Sequence, residues 1–303
     1  MGKSALRYDL EDAYDYFETF IKTYGKQYDE TEKAERFEIF KENLEKINDL
    51  NARSDNAVFG VTQFSDLTTE EFLQKHTGYR SIDDTDNNVN KSETNLNLED
   101  TPESFDWRSK GVVSVVRDQG NCGSCWAFST MSNVESAYAI KTNQSVLLSE
   151  QQLVDCATDN CVGCNGGIAK YACEYLKSKG AMSEDSYPYI DGEGKCKYNS
   201  KNVVVQVKNC LELSVSEDEL ATIAGAALHH YYGGLIANNM CSESNKIDHA
   251  VLLVGYGTDE DGNKYWVGKN SWGPGFGEQG FFKMQRGVNC LSLMDKTALA
   301  IEV

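Results

Sequence analysis

Apolar residues recur at helical spacing through the first quarter of the chain. Ala13, Phe17, Phe20, Ile21 and Tyr24 make one stripe, broken at Gly25. Phe37, Phe40, Leu44, Ile47 and Leu50 make a second, flanked by charges and ending near Asn51. Thr68 with Glu71 reads as a capping box that opens a short helix towards Lys75. From residue 81 to residue 100 the pattern dissolves into Asp, Asn, Ser and Thr, which is the composition of an exposed, cleavable linker. Beyond Thr101 glycine, tryptophan and cysteine become frequent. Helical spacing returns at 124–140, 149–156 and 168–179, and strand-like runs follow at 203–207, 250–255 and 265–267. Helices early and strands late predict an α+β domain of two lobes over 101–303, preceded by a leader (1–80) and the linker (81–100).

One stretch late in the chain is also read as helical. Ser216 with Glu219 forms a capping box, and Leu220, Ile223, Ala224, Ala227, Leu228 and Tyr231 fall on one face. This predicts a helix from about residue 217 towards Tyr232.

Composition narrows the function classes. The 303 residues carry a formal charge of −18, which argues against nucleic acid as a partner because phosphate binding needs basic surface. No apolar run is long enough to span a bilayer, and the first residues lack a secretory stretch. Gly2 is poorly placed for myristoylation, with Leu6 where Ser or Thr is wanted. Ten cysteines nevertheless suit an oxidising compartment. A removed or replaced signal peptide would reconcile the two.

The chemistry concentrates in three places. The first is Gln119-Gly-Asn-Cys122-Gly-Ser-Cys125-Trp126-Ala-Phe128. Cys125 opens an apolar helix after a Gly-Ser turn, so its sulfur would sit beside free backbone N–H groups that favour the thiolate. Taken alone, the pairs Cys122/Cys125 and Cys161/Cys164 would read as a zinc or redox motif. The second is His249, one of four histidines, which follows Asp248 and heads the apolar run from Ala250 to Gly255. The third is Asn270, in Asn270-Ser271-Trp272-Gly273 after a strand-like run. An amide oxygen accepting an imidazole N–H fixes the ring's tautomer and plane, and an adjoining indole excludes water. An Asn-Ser turn is the plainer reading of that dipeptide.

Together these motifs, with the Cys-Gly-Ser-Cys-Trp run at their centre, resemble the papain-like, cathepsin L-like cysteine proteases. The resemblance implies a papain-like two-lobed fold, one helical and one barrel-like. It implies Cys125 as nucleophile, His249 as base, Asn270 as its orienting partner and Gln119 as an oxyanion donor. No cofactor and no metal are implied. Asn165, Gly166 and Gly167 match the segment that pairs with an extended substrate, a bare turn being the alternative. Trp272 would shield the site. Ile247 and Ala250 would wall the main specificity pocket, with Asp295 either at its floor or simply solvated. Disulfides Cys122–Cys164, Cys156–Cys196 and Cys241–Cys290 carry over from the family, and of the three cysteines left, Cys173–Cys210 is the favoured pair.

The leader is a second match. Glu32, Arg36, Ile39, Phe40, Asn43, Ile47 and Asn51 fit the interspersed helix motif of cathepsin L-like propeptides, and Glu32 and Arg36 lie one helical turn apart as an ion pair requires. Gly60, Thr62, Phe64 and Asp66 fit the strand motif that follows. This implies a zymogen whose propeptide lies in its own cleft until acid pH and cleavage release it. Polypeptide substrates, cystatin-like inhibitors, a monomeric state and a lysosomal, vacuolar or secreted location follow from the same resemblance. Asn143 and Asn90 head glycan-acceptor tripeptides.

Three departures qualify the match. Phe276 stands where the family has a second tryptophan, the signal peptide is missing, and the interval from Cys125 to His249 is about ten residues short. About eight residues are absent after Gly225, the length of one strand. The expectation is a cysteine endopeptidase zymogen that hydrolyses peptide bonds through a Cys125–His249 thiolate–imidazolium pair and an acyl-enzyme; the alternative is a weakly active enzyme or an inactive papain-fold binding protein, because the strand headed by His249 would lose a partner.

Overall fold

The computed structural model describes residues 6–80, 102–213, 222–223, 228–237, 240–241, 247–288, 290–291 and 298–303. In the N-terminal segment, α1 (Ala13–Tyr24) stops at Gly25, whose φ of 62° is left-handed. The next helix, α2 (Glu30–Arg53), starts where the Asp29 carboxylate accepts the Thr31 and Glu32 amides. Strand β1 (Ala57–Phe59) follows, then α3 (Thr69–His76) behind the Thr68/Glu71 capping box.

The remainder supplies β2 (Phe105–Asp106), α4 (Cys125–Thr142), α5 (Glu150–Cys156), α6 (Ala169–Lys179), β3 (Ala181–Met182), β4 (Val203–Val205) and β5 (Asn209–Leu213). After these come β6 (Thr222–Ile223), β7 (Tyr231–Ile236), β8 (His249–Ala250), β9 (Leu252–Thr258), β10 (Lys264–Lys269), β11 (Phe281–Gln285) and β12 (Ala298–Glu302). The largest sheet has the order β1-β7-β11-β10-β9-β2, with only the β7–β11 pair parallel. A strand of the N-terminal segment therefore closes one edge of the main domain's sheet.

Two large cores reflect this arrangement. One lies wholly in the helical lobe and contains Trp126, Met131, Leu153, Cys173, Leu176 and Val205. The other runs from Phe17, Phe40 and Ile47 through Phe59 and Phe72 to Tyr231, Trp272 and Phe282, so the N-terminal helices and the sheet lobe share one interior. Disulfides join Cys122 to Cys164, Cys156 to Cys196, Cys173 to Cys210 and Cys241 to Cys290, while Cys125 and Cys161 are free and buried.

Polar residues of the N-terminal segment knit its irregular stretch to α2. Asn43 Nδ2 donates to the carbonyls of Ser65 and Leu67. Asn51 accepts from the Phe59 amide and donates to the Phe59 and Leu6 carbonyls. Asp66 accepts from Lys26 and from the Tyr28 hydroxyl, and Thr62 Oγ1 donates to the His229 carbonyl. Phe40 and Ile47 are buried, and Ile39 is half-buried. Arg36 reaches Glu32 only at 3.7 Å; its guanidinium sits 2.7 Å from Glu71, tying α2 to α3 and holding the Glu71 carboxyl below its ordinary range.

The helix expected from residue 217 towards Tyr232 does not form where the chain is described. Thr222 and Ile223 are strand, and Tyr231–Ile236 is strand along its whole length. β7 pairs with β1 at Tyr231, Gly233 and Gly234 and with β11 at Leu235 and Ile236, and Gly233-Gly234 disfavours a helix. Residues 217–221 and 224–227 lie outside the described residues. The strand headed by His249 keeps a partner, because Thr222 pairs with Ala250 and Ile223 with His249.

Replacing buried Asn51 by Ala leaves the Phe59 amide and carbonyl unpaired. We expect a loss of about 1–3 kcal/mol in the stability of the docked N-terminal segment, measured by urea denaturation.

Candidate active site

The loop before α4 is fixed at both ends. The Cys122–Cys164 disulfide and the Gly123 N–H to Cys164 carbonyl bond (3.0 Å) pin its middle. Buried Gln119 donates its backbone N–H to the Ser271 carbonyl and accepts at Oε1 from Ser271 Oγ at 2.6 Å. The Tyr189 hydroxyl donates to the Gln119 carbonyl and lies 2.8 Å from Ser124 Oγ. Cys125 is the first residue of α4, so its sulfur stands at the helix's positive end.

Across the lobe boundary, β8 presents His249 and the end of β10 presents Asn270. His249 Nε2 is 2.8 Å from Asn270 Oδ1, and the imidazole stacks on Trp272 with centroids 4.6 Å apart. Phe276 meets Trp272 edge-on at 5.0 Å, so the smaller ring still covers the indole. His249 Nδ1 is buried and without a hydrogen-bond partner among the described residues.

The N-terminal segment leaves α3 and crosses this site in extended form. The His76 carbonyl accepts from Gln119 Nε2 (3.2 Å) and Trp272 Nε1 (2.9 Å). Gly78 and Tyr79 both donate to the Asp248 carbonyl. Gly167 donates to the Gly78 carbonyl and accepts from the Arg80 amide, so Tyr79 and Gly167 pair in parallel. A Cβ at Gly78 would stand 2.0 Å from the Gly123 carbonyl oxygen, and one at Gly166 would stand 2.5 Å from the Gly78 oxygen. Both positions require glycine because two backbones touch there.

This cover sets the electrostatics. Burial pushes the Cys125 thiol up to about 12, against backbone N–H groups of Ala250, Trp126 and Tyr79 that favour the thiolate. Burial pulls His249 down to about 4, against the Asn270 bond that favours its charged form. Beneath the N-terminal segment both groups are neutral at ordinary pH.

The structure thus gathers Gln119, Cys125, His249, Asn270, Trp272 and Gly167 around one cleft. Asn165 sits in a short turn whose amide bonds to the Val162 carbonyl. Half-buried Ile247 and buried Ala250 flank the His249 position. Asn143 is exposed in a left-handed conformation at the end of α4. Asp295 and Asn90 lie outside the described residues. Sequence reasoning missed His76, Gly78 and Tyr79 as cleft occupants and Ser271 and Tyr189 as supports of Gln119. A Gly-Tyr pair where the leader's periodicity ends was the available signal for the former. No group of histidine, cysteine, aspartate and glutamate side chains among the described residues could hold a metal ion.

Comparison with known proteins gives the same architecture. The model of the papain family of cysteine proteases matches residues 101–301, and that of the cathepsin propeptide inhibitor domain matches residues 17–72. The chain is 38% identical to a viral cathepsin of Adoxophyes honmai nucleopolyhedrovirus over 98% of its own length and 94% of that protein. It is 42% identical to the thiol protease aleurain of Arabidopsis thaliana, covering 90% of this chain and 80% of that one. Among solved structures, the digestive procathepsin L2 of Tenebrio molitor superposes with a TM-score of 0.85 at 34% identity, over 96% of this chain and all of that one. Both parts of the chain, in order and at nearly full coverage, place it in the papain family of cysteine proteases as a form that carries its propeptide.

Proposed function

We propose that the chain is the zymogen of an endopeptidase acting through a Cys125–His249 pair. The observation that carries this reading is the Asn270 bond to His249 Nε2, which leaves Nδ1 as the proton acceptor of an imidazole locked in plane by Trp272. With the propeptide gone, water reaches the site and the burial that keeps both groups neutral is relieved. Nδ1 then takes the thiol proton, and the thiolate attacks the scissile carbonyl carbon. The resulting oxyanion meets Gln119 Nε2 and the Cys125 N–H. Imidazolium returns its proton to the departing amine, leaving a thioester. A water deprotonated by His249 attacks that thioester, and the thiolate leaves.

The carbonyl of His76 on Gln119 Nε2 supports the assignment of that amide, because a backbone oxygen already occupies its donor in the covered state. The Tyr79–Gly167 pairing supports extended polypeptide as the substrate class, with Gly166 and Gly167 offering backbone and Ile247 and Ala250 as apolar walls for a Leu or Phe side chain. Residues 1–80 act as the inhibitor, 81–100 as the region cut on activation and 101–303 as the peptidase. A lysosomal, vacuolar or secreted location, a monomer and cystatin-like inhibitors fit the same reading. The pairing of β6 with β8 weighs against a non-catalytic binding protein, since the strand headed by His249 is not left open.

Cys125→Ala should abolish peptide hydrolysis while leaving circular dichroism and propeptide docking unchanged; turnover comparable to the parent would remove Cys125 from its role. Gln119→Ala should lower kcat by about 10²–10³ with a small change in KM, as loss of one oxyanion donor does. In Gly78→Ala the new methyl meets the Gly123 carbonyl, so docking should weaken by about 1–3 kcal/mol. That variant should show faster alkylation of Cys125 at pH 7 than the parent zymogen, followed by mass spectrometry.

A further inference from the structure

Every histidine of this chain lies in one buried layer between the propeptide and the sheet lobe. His229 and His230 come from the peptidase, just before β7, and are 2% and 5% exposed. Their rings stack on each other at 4.0 Å, and the propeptide's Phe72 stacks on His229 at 4.3 Å and 7°. Phe72 and Phe64 then contact His76, and both contact Trp272, which lies on His249. His229 Nε2 is 2.9 Å from the Phe64 carbonyl, and the Gly60 amide donates to the His230 carbonyl. His230 Nδ1 is buried with no hydrogen-bond partner among the described residues.

We propose that His229 and His230 form an acid-sensitive latch for the propeptide, closed while the pair is neutral and opened when it takes up protons. The proposal rests on the zymogen reading, but it concerns docking rather than hydrolysis.

The surroundings favour neutral rings. From α2, Lys46, Asp49 and Arg53 line a cavity of about 220 Å³ that also touches both histidines. Asp49 is taken by Arg53 at 2.8 Å, and Lys46 opposes charge on both rings. Asp66 is the carboxylate that favours a charged His229, and Lys26 and Tyr28 hold it. From α3, His76 bonds to the Gly120 carbonyl near Lys75. No carboxylate hydrogen-bonds to either ring of the pair among the described residues. Two imidazolium ions stacked face to face would repel, and the nearby carboxylates Asp66 and Asp49 are already held by other partners. The cavity gives water, and with it protons, a route to them.

Burial pulls His229 down to about 4 and His230 well below its ordinary 6.5 in the docked state. Loss of the propeptide exposes both and restores ordinary basicity. The open state therefore binds more protons, so docking is strongest above about pH 6.5 and weakens as pH falls from there towards 4. Each histidine contributes up to about tenfold per pH unit to the opening equilibrium, and the pair up to about a hundredfold. The ion pairs of Asp66 with Lys26 and of Glu71 with Arg36 also span the segment, and the Glu71 carboxyl, held below its ordinary range, is the competing sensor.

The test uses the full chain with Cys125→Ala, so that cleavage cannot interfere and a non-catalytic chain would give the same readout. Amide exchange of Phe59, Gly60 and residues 69–76, corrected for intrinsic pH dependence, reports opening between pH 7 and 4. His229→Gln and His230→Gln, made singly, should each reduce the steepness of opening by about tenfold per pH unit; steepness equal to the parent's in both assigns sensing to the Glu71 carboxyl and overturns the latch. If either variant has lost protection in α4 at pH 7, the chain with all four histidines intact decides instead. Its His229 and His230 imidazole proton shifts should titrate at the same midpoint as loss of Gly60 protection. Titration of the pair while Gly60 stays protected, or opening while the pair stays neutral, overturns the proposal.

Discussion

Exclusion of water from Cys125 and His249 is the condition on which the rest of the molecule depends. A thiol and an imidazole in contact with solvent, beside a helix N-terminus and an orienting amide, tend towards a charged pair. The same two groups under a polypeptide lid remain neutral, because the surrounding dipoles do not offset the lost hydration. The propeptide achieves this with very little side chain: His76 offers a carbonyl, Gly78 offers the absence of a Cβ, and Tyr79 offers an amide. Its bulk serves elsewhere. Phe17, Phe40, Ile47, Phe59 and Phe72 anchor it in the sheet lobe's own core, so the thin strap over the cleft is held by an apolar interior at a distance from it.

That division explains what the sequence could and could not reveal. The stripes of α1 and α2, the Thr68/Glu71 box and the helix opened by Cys125 depend on neighbours within a few residues, and all form at the expected places. The arrangement of Gln119, His249 and Asn270 was legible only because each sits in a distinctive local motif. Their supports were not legible: Ser271 on Gln119 Oε1 and His76 on Gln119 Nε2 are partners set by tertiary structure. The expected helix towards Tyr232 shows the opposite failure. Its apolar spacing suits a helix, yet from Tyr231 onward the chain pairs first with β1 and then with β11, and long-range pairing overrides a local preference. Before this point β6 runs against β8 and pairs with His249 itself.

Covalent links follow the same logic of separate lobes. Three lie on the helical side: Cys122–Cys164 ties the loop before α4 to the turn ahead of Gly166, Cys156–Cys196 ties the end of α5 to the loop before β4, and Cys173–Cys210 ties α6 to β5. The sheet lobe has Cys241–Cys290 and otherwise relies on its ladders and the aromatic core it shares with the propeptide. The two halves of the cleft are therefore stabilised by different means. One is stapled, and the other is packed partly against the propeptide.

The status of β7 depends on β1. In the covered chain β7 is an interior strand, paired with β1 through Ala57 and Gly234 and with β11 through Leu235 and Ile236. Without β1 its outer row of amides and carbonyls faces solvent, beside Tyr232 and a shared core newly opened to water. An unpaired edge of this kind recruits other extended chains. The left-handed turn at Gly234, with φ 82°, breaks the flatness of that edge and shortens the length on which a foreign strand could align. While β1 is in place, the outer row of β7 between Tyr231 and Gly234 is paired and is not presented as an edge.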